Sequence, residues 1–299
     1  MSDELVVTAT ALALAETATG APASGASTIY RLPAEVLDRR HTPISQRLVR
    51  MVGQLAEDAG LAREDIAGPD TGLVSGSRYG CALVYDMHRR LREGGPRGID
   101  AVAFAQATHN FPVSACAIEY GIRGPGVAIV SSTAAGIEAL LCAADWLREG
   151  RCQRVIVVAY EDLEGPAAVH LASLGRNAPV HEAMALVMLE RRESAIARGA
   201  PMLAQLAGTA TLAPQGKGRA PDDVAAAAFG EASGVATVIA GQPDQALPLV
   251  DCVSAGGLLA MIRAIGAAAP QAKWLAGAMD PVRGGAAVAL RLPETIEVI

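Results

Sequence analysis

A chain of 299 residues, 51% hydrophobic and 19% charged, has the apolar content to bury a substantial core and stands apart from disordered sequences. A net charge of −6 lacks the basic footprint of a nucleic-acid binder, and only two of the 25 cationic residues are lysines, Lys217 and Lys273. Five scattered cysteines without CxxC spacing (Cys81, Cys116, Cys142, Cys152 and Cys252) read as reduced thiols. The apolar N-terminal stretch carries Asp3, Glu4 and Glu16 in place of a signal peptide's positive flank, and no apolar run approaches the ~20 residues of a membrane span. A cytoplasmic protein with no membrane contact is expected.

In chain order, "ELVVTATAL" opens as a strand. "TPISQRLVRMVGQLAEDAGL" reads as a helix, with Ile44, Leu48, Met51 and Leu55 on one face and Ser45 and Gln46 near its start. "TGLVSGSRYG" is a strand running into a glycine turn, "VAIVS" a strand, "AGIEALLCAADWLREG" a helix closed by Gly150, and "RVIVVAY" another strand. "EAMALVMLERRESAIARGA" turns from strand to a short helix ending at Gly199. "LAPQGKGRAPDD", Leu212 to Asp223, is rich in Pro, Gly and charge and is the loop or linker candidate. "GVATVIAG", "SAGGLLAMIRAIGAA" and "GGAAVALRLP" follow as strand, helix and strand. This alternation indicates α/β layering, and two successive strand–helix–strand halves suggest a duplicated unit.

The stretch from Val127 to Gly150 carries the chemical question. Val127 to Val130 are continuously apolar, as in a strand covered on both faces, and Ser131, Ser132 and Thr133 precede a helix opened by Ala134, Ala135 and Gly136. Small residues there let a helix N-terminus, with its free N–H groups, approach neighbouring backbone closely. An alcohol in that place is either a nucleophile that needs an adjacent base or a cap for the helix's orphan donors.

Here a resemblance enters. "YGIRGPGVAIVSSTAAGIEALLCAADWLREGRCQRVIVV" is similar to the nucleophile region of the β-ketoacyl synthases of fatty acid and polyketide assembly, which have the thiolase fold. Their pattern runs "GLRGP", a strand, "TACASG" at a helix start, then "G.CD.ALVGG". "SQRLVRMVGQLAEDAGL", "TGLVSGSRYG" and "HEAMALVMLERRESAIARGA" resemble the family's early helix, glycine turn and "GEGAGMLVLE…A..RGA". The likeness runs from about residue 40 to 205 and thins beyond. It implies a compact, layered αβαβα fold over residues 1–299, with halves of about 1–200 and 201–299.

Three departures from the family pattern bear on function. Laying "TACASG" on "SSTAAG" puts Thr133 at the nucleophilic cysteine, while Cys142 lies well inside the helix, on its core side. Decarboxylating condensation also needs two histidines from the second half, yet His41, His88, His109, His170 and His181 are the only histidines. "VIAGQPDQ" puts Gly241 at the first histidine of "VNAHGTST", and Val250 or Asp251 takes the second place. In "DPVRGGAAVALRL", Val282 and Ala287 replace the gating phenylalanine and the asparagine of "GFGGTNGSLIF", while Gly284 and Gly285 remain.

The resemblance with these losses implies a chain-length-factor-like subunit. Such a subunit pairs with an active ketosynthase in a type II system of aryl-polyene-like character, acts on acyl chains carried as thioesters on an acyl carrier protein, and uses no metal or cofactor. Thr133, Ser132, His109, Asn110 and Phe111 are the residues it would place near the interface and acyl tunnel. The alternative is an acyltransferase or hydrolase of acyl thioesters using Thr133 or Ser132, with His109 as its base. A third possibility is a homodimeric ligand-binding protein. Glu182 is expected to make a structural hydrogen bond. Arg89, Arg90, Arg92 and Arg97 read either as a contact for phosphopantetheine or carrier protein, or as a solvated helix face.

Overall fold

The computed structural model describes residues 4–15, 29–34, 38, 40–174, 179–212, 220–231, 233–241, 247, 249–267, 271–280 and 282–293. The first half runs β1 (Leu5–Leu14), β2 (Ile29–Tyr30), α1 (Pro43–Asp58), β3 (Thr71–Ser77), α2 (Ala82–Gly94), α3 (Ala101–Gln106) and α4 (Phe111–Tyr120). It continues with β4 (Gly126–Val130), α5 (Ala135–Arg148), β5 (Arg154–Tyr160), α6 (Pro166–Ser173), β6 (Val180–His181), β7 (Ala183–Arg191) and α7 (Arg192–Ala197). Then come β8 (Ala204–Leu212), α8 (Pro221–Phe229), β9 (Val235–Ala240), α9 (Gly256–Gly266), β10 (Lys273–Asp280) and β11 (Gly284–Arg291).

Nine strands form one mixed sheet in the order β4-β3-β5-β7-β1-β8-β11-β10-β9, and β2 pairs with β6 apart from it. The order repeats itself. In β1-β7-β5-β3 the pairings run antiparallel, antiparallel, parallel, and in β8-β11-β10-β9 they run the same way. The expected duplication, for which no sequence repeat gave proof, is therefore visible as topology. The two halves meet at β1 and β8 through only three residue pairs, Leu5–Leu206, Val6–Gln205 and Val7–Ala204.

Strand periodicity sets the layers. On β5, Val155, Val157 and Ala159 face inward to α5 and α9, in a core shared with Val187, Ala276, Ala278 and Val288. The alternate residues Ile156, Val158 and Tyr160 face outward onto α1 and α4. In the second half Ile239, Leu275, Ala287 and Ala289 face outward onto α8. The result is helix, sheet, helix pair, sheet, helix, the expected αβαβα stack. Strands covered on both faces must be apolar at every position, which explains the unbroken runs in β5 and β7.

Two readings need correction, over β4 and over the Pro- and Gly-rich loop. β4 is not covered on both faces: it is the sheet's edge strand, with Val127 and Val130 exposed. A run of apolar residues marks potential burial, and a single chain leaves this edge unpaired. Ser45 and Gln46 do lie near the start of α1, and the cap is Thr42, whose hydroxyl accepts from the Ser45 N–H at 3.2 Å while Ser45 Oγ accepts from the Thr42 N–H at 2.8 Å. The loop proposed over Leu212 to Asp223 is bounded at both ends by regular structure. Leu212 closes β8, Pro221 to Asp223 open α8, and residues 213–219 lie outside the described residues.

β3 and the start of α5 touch backbone to backbone at Gly76, where a Cβ would lie 2.0 Å from the Ala135 carbonyl oxygen. Gly76→Ala is expected to lower the unfolding free energy by about 2–3 kcal/mol, seen as a fall in urea midpoint at unchanged slope. Gly94→Ala, at the end of α2 with open space around it, should be neutral or stabilise by up to about 1 kcal/mol.

Candidate functional site

The site is built where β3, β5 and the two central helices converge. The three hydroxyls before α5 have separate roles. Ser132 Oγ accepts from the Ala134 N–H at 3.1 Å and lies 3.5 Å from Glu138 Oε1, while the Ser131 hydroxyl donates to Glu138 Oε2. The reading of these hydroxyls as caps is met only in part: Ser132 takes the N–H of Ala134, the residue just before α5, Ser131 binds the Glu138 carboxylate, and no side chain bonds the first N–H groups within the helix. Thr133 Oγ1 is shut off from solvent with no hydrogen-bond partner. An unpaired buried hydroxyl costs about 1–3 kcal/mol, so this position is suboptimal for stability alone.

Glu161, at the end of β5, organises the surroundings. Its carboxylate is 2% exposed and accepts from the Arg78 N–H at 2.7 Å, the Tyr79 N–H at 3.2 Å, the Ser77 hydroxyl at 3.1 Å and the Ser254 N–H at 3.3 Å. The Ser254 hydroxyl donates to it as well. Burial pushes its pKa above the ordinary value, and these donors pull the other way. Ser254 belongs to a 3-10 turn over Val253–Ala255, and its carbonyl oxygen would lie 2.6 Å from a Cβ on Gly136. Glu161 thus pins the β3 turn, the head of α5 and the approach to α9 together.

The second-half positions offer no catalytic base. Gly241 sits at φ +89°, and a Cβ there would fall 2.4 Å from the Met279 carbonyl oxygen, so no side chain fits. Asp251 accepts from the Val253 N–H at 3.0 Å and supports the 3-10 turn. Asp280 accepts from the N–H groups of Val282 and Arg283 and lies 3.7 Å from Arg78 across the two halves. Val282 is exposed and Ala287 is buried on β11. No thiol is activated either: burial raises Cys81 and Cys152 to about 11 and Cys252 to about 12, and raises Cys116 and Cys142. Cys142 is half-buried and packs against the inner core.

The residues from 109 to 111 stand apart from Thr133. His109 Nδ1 accepts from the Cys81 N–H at 3.2 Å, and its ring lies 6.2 Å from that of Tyr85. Burial, with a smaller effect of His88, lowers its pKa. Asn110 is exposed and precedes α4, with its amide 3.4 Å from Ser114 Oγ, and Phe111 opens that helix half-buried. No hydrogen bond or ring contact among the described residues joins this segment to Thr133.

A cavity of about 1060 Å³ opens on the other side of Cys81 and Tyr85, between the starts of α1, α2 and α6. Leu32, Ile44, Leu83 and Val169 give it apolar walls, and Arg31, Arg47, Asp162 and Glu182 give it charge. None of Thr133, Ser132, His109, Asn110 or Phe111 lines it. Glu182 makes its expected structural bonds here, accepting from the Leu32 N–H at 2.9 Å and Arg31 at 3.2 Å. Of the arginine run, Arg89 lines the cavity and pairs with Asp86 and Glu93, Arg90 pairs with Asp86, and Arg92 and Arg97 are exposed. Sequence reasoning missed Glu161, Asp162 and this cavity. A charged pair closing the apolar run "RVIVVAYED" was the one available signal.

With the geometry in place, comparison with known proteins is informative. Residues 34–178, just under half of the chain, match the family model for "Beta-ketoacyl synthase, N-terminal domain". The 3-oxoacyl-[acyl-carrier-protein] synthase 1 of Haemophilus influenzae is 27% identical over 239 residues, covering 64% of this chain; the chain spans 56% of that relative's length. A chain from the complex of a type II PKS acyl-carrier protein with its ketosynthase bound to the hexaketide superposes with a TM-score of 0.77 at 17% identity, covering 98% of this chain and 100% of the other. The ishigamide ketosynthase/chain length factor gives 0.73 at 19% identity, covering 97% and 99%. A beta-ketoacyl synthase from Burkholderia phymatum STM815 gives 0.71 at 17% identity, covering 97% and 99%. The fold is the thiolase-like fold of ketosynthases. The family-model match and the curated relative are likenesses to beta-ketoacyl synthases, and the solved structures share the fold.

Asp162 yields a pH prediction. Its Oδ2 accepts from the Ala82 N–H at 2.9 Å at the head of α2, and burial raises its pKa from 3.8 to about 6. A carboxyl that binds its proton more tightly when folded favours the folded state at low pH. That contribution is complete below pH 3.8 and is lost by about pH 6, a fall of about 2–3 kcal/mol. Asp162→Asn should flatten this fall in pH-dependent denaturant unfolding and leave the variant more stable than the parent at pH 7. Glu161→Gln turns an NH₂ toward a ring of donors and should cost about 3 kcal/mol in the same assay.

Proposed function

We propose that this chain is a non-condensing ketosynthase-like subunit of the chain-length-factor type. It pairs with an active β-ketoacyl-ACP synthase in the cytoplasm and shapes the acyl tunnel of a type II polyketide, polyene or fatty-acid-like system. The observation that carries this reading is the state of the nucleophile position. Thr133 Oγ1 has no base within hydrogen-bond reach, no thiol is activated, and Gly241 leaves no room for a histidine. A hydroxyl without a base is a poor nucleophile at neutral pH.

The surface supports a partner. β4 offers a free strand edge, and Val127, Val130 and Ile118 on the adjoining α4 are exposed, Ile118 by 82%. An unpaired edge beside an apolar patch is an association surface. In this reading Thr133, Ser132, His109, Asn110 and Phe111 lie near the tunnel and the interface, residues 1–299 act as one thiolase-like unit of two halves, and an acyl carrier protein delivers the thioester chain. No metal or cofactor takes part.

The acyltransferase or hydrolase alternative draws no support from the geometry. Ser132 Oγ accepts from the Ala134 N–H and lies beside the Glu138 carboxylate, and His109 receives the Cys81 N–H at Nδ1.

The test is co-expression with an active ketosynthase encoded beside it, then size-exclusion chromatography and an elongation assay. The expected outcome is a one-to-one complex, active only with both chains and unimpaired in Thr133→Ala. Loss of elongation in Thr133→Ala with the complex intact would assign chemistry to the threonine and end the proposal.

A further inference from the structure

The strand register sets up a second site far from α5. Val6, Gln205, Arg291 and Lys273 are directly paired across β1, β8, β11 and β10, so their side chains emerge side by side on one face. That face is the outer one, at the seam where the halves join through only three residue pairs. A cavity of about 570 Å³ lies there, lined by these four residues together with Arg192, Gln271, Met202, Ala204, Leu292 and Pro293. Among the described residues, every charged one in this lining is a cation: Arg192, Lys273 and Arg291.

Two features of this group go against stability. Lys273 and Arg291 are like charges directly opposite in an antiparallel pair, an arrangement that destabilises a sheet. They sit in a protein with a net charge of −6, which has carboxylates to spare. Glu231 pairs with Lys273 at 2.9 Å and Glu4 with Arg192 at 3.5 Å, but neither glutamate lines the cavity. Arg291 has no ion pair among the described residues, and its guanidinium lies 6.0 Å from the Phe229 ring centroid, with Lys273 Nζ 5.7 Å from the same centroid. Two cations gathered at one ring, in a hollow whose described lining carries no carboxylate, are held ready for a negative group.

The geometry points to a binding site for a small organic anion. Its phosphate or carboxylate is held by Arg291, Lys273 and Arg192, its polar groups meet the amides of Gln205 and Gln271, and its apolar body lies against Val6, Met202 and Leu292. Arginine's planar fork matches either oxyanion through two parallel hydrogen bonds. The site does not depend on the proposed function, since none of Thr133, Ser132, His109, Asn110 or Phe111 lines it.

The experiment titrates the full chain, alone or with its co-expressed ketosynthase, with inorganic phosphate, pyrophosphate and butyrate, followed by calorimetry and thermal unfolding at constant ionic strength set with chloride. Saturable binding of at least one probe is expected, with a rise in Tm, and Arg291→Gln should weaken it tenfold or more. Arg291 is exposed, so the variant should fold, with its Tm in chloride serving as the control. Preference for phosphate or for butyrate identifies the oxyanion. Absence of saturable binding to all three probes, or equal binding by Arg291→Gln, overturns the site.

Discussion

A single buried carboxylate governs how this molecule is put together. Glu161 collects donors from the turn after β3 and from the 3-10 turn that leads into α9, so one side chain on β5 couples the first half to the second. A buried carboxylate is tolerable only when its lone pairs are met by donors, and here they are met several times over. This coupling sets how closely the β3 turn, the head of α5 and the Ser254 backbone approach one another. The glycines at 76 and 136 are consequences of that closeness, because any Cβ there would strike backbone.

The same constraint separates scaffold from chemistry. The head of α5 is held against the ends of β3 and β5, with Thr133 just before it. Thr133 Oγ1 is buried there with no hydrogen-bond partner, and in the second half Gly241 leaves no room for a side chain. Geometry and reactivity have come apart. Keeping an orphaned hydroxyl in a tightly packed site fits a protein whose shape is used rather than its nucleophile.

The molecule's surfaces divide in the same way. The edge at β4 is apolar and unpaired, suited to another protein surface, whereas the notch at the β1–β8 seam is cationic and concave, suited to a small anion. Both arise where the repeated sheet stops repeating. β4 ends the first half's sheet, the described residues of the second half hold no matching strand, and the seam is where the two copies meet. Regular strand pairing leaves no groups free, so the irregular margins are where groups for recognition remain.

The sequence by itself determined the layered fold. Continuous apolar runs such as "RVIVVAY" and "AMALVMLE" have only one stable use, as strands covered on both faces, and the stripes of α1 and α5 supply the cover. It also determined that a threonine stands before the small-residue start of α5 and that no histidine follows residue 181, since residue identity needs no coordinates. Only the tertiary structure decided that "VAIV" is an edge and not a core strand, because burial depends on which neighbours a strand has. The same holds for Glu161, whose partners are 82 to 93 residues away in sequence, and for Gln205, Arg291 and Lys273, which meet only through strand register. Local pattern encodes elements; contacts between distant residues, and therefore sites, exist only once those elements are stacked.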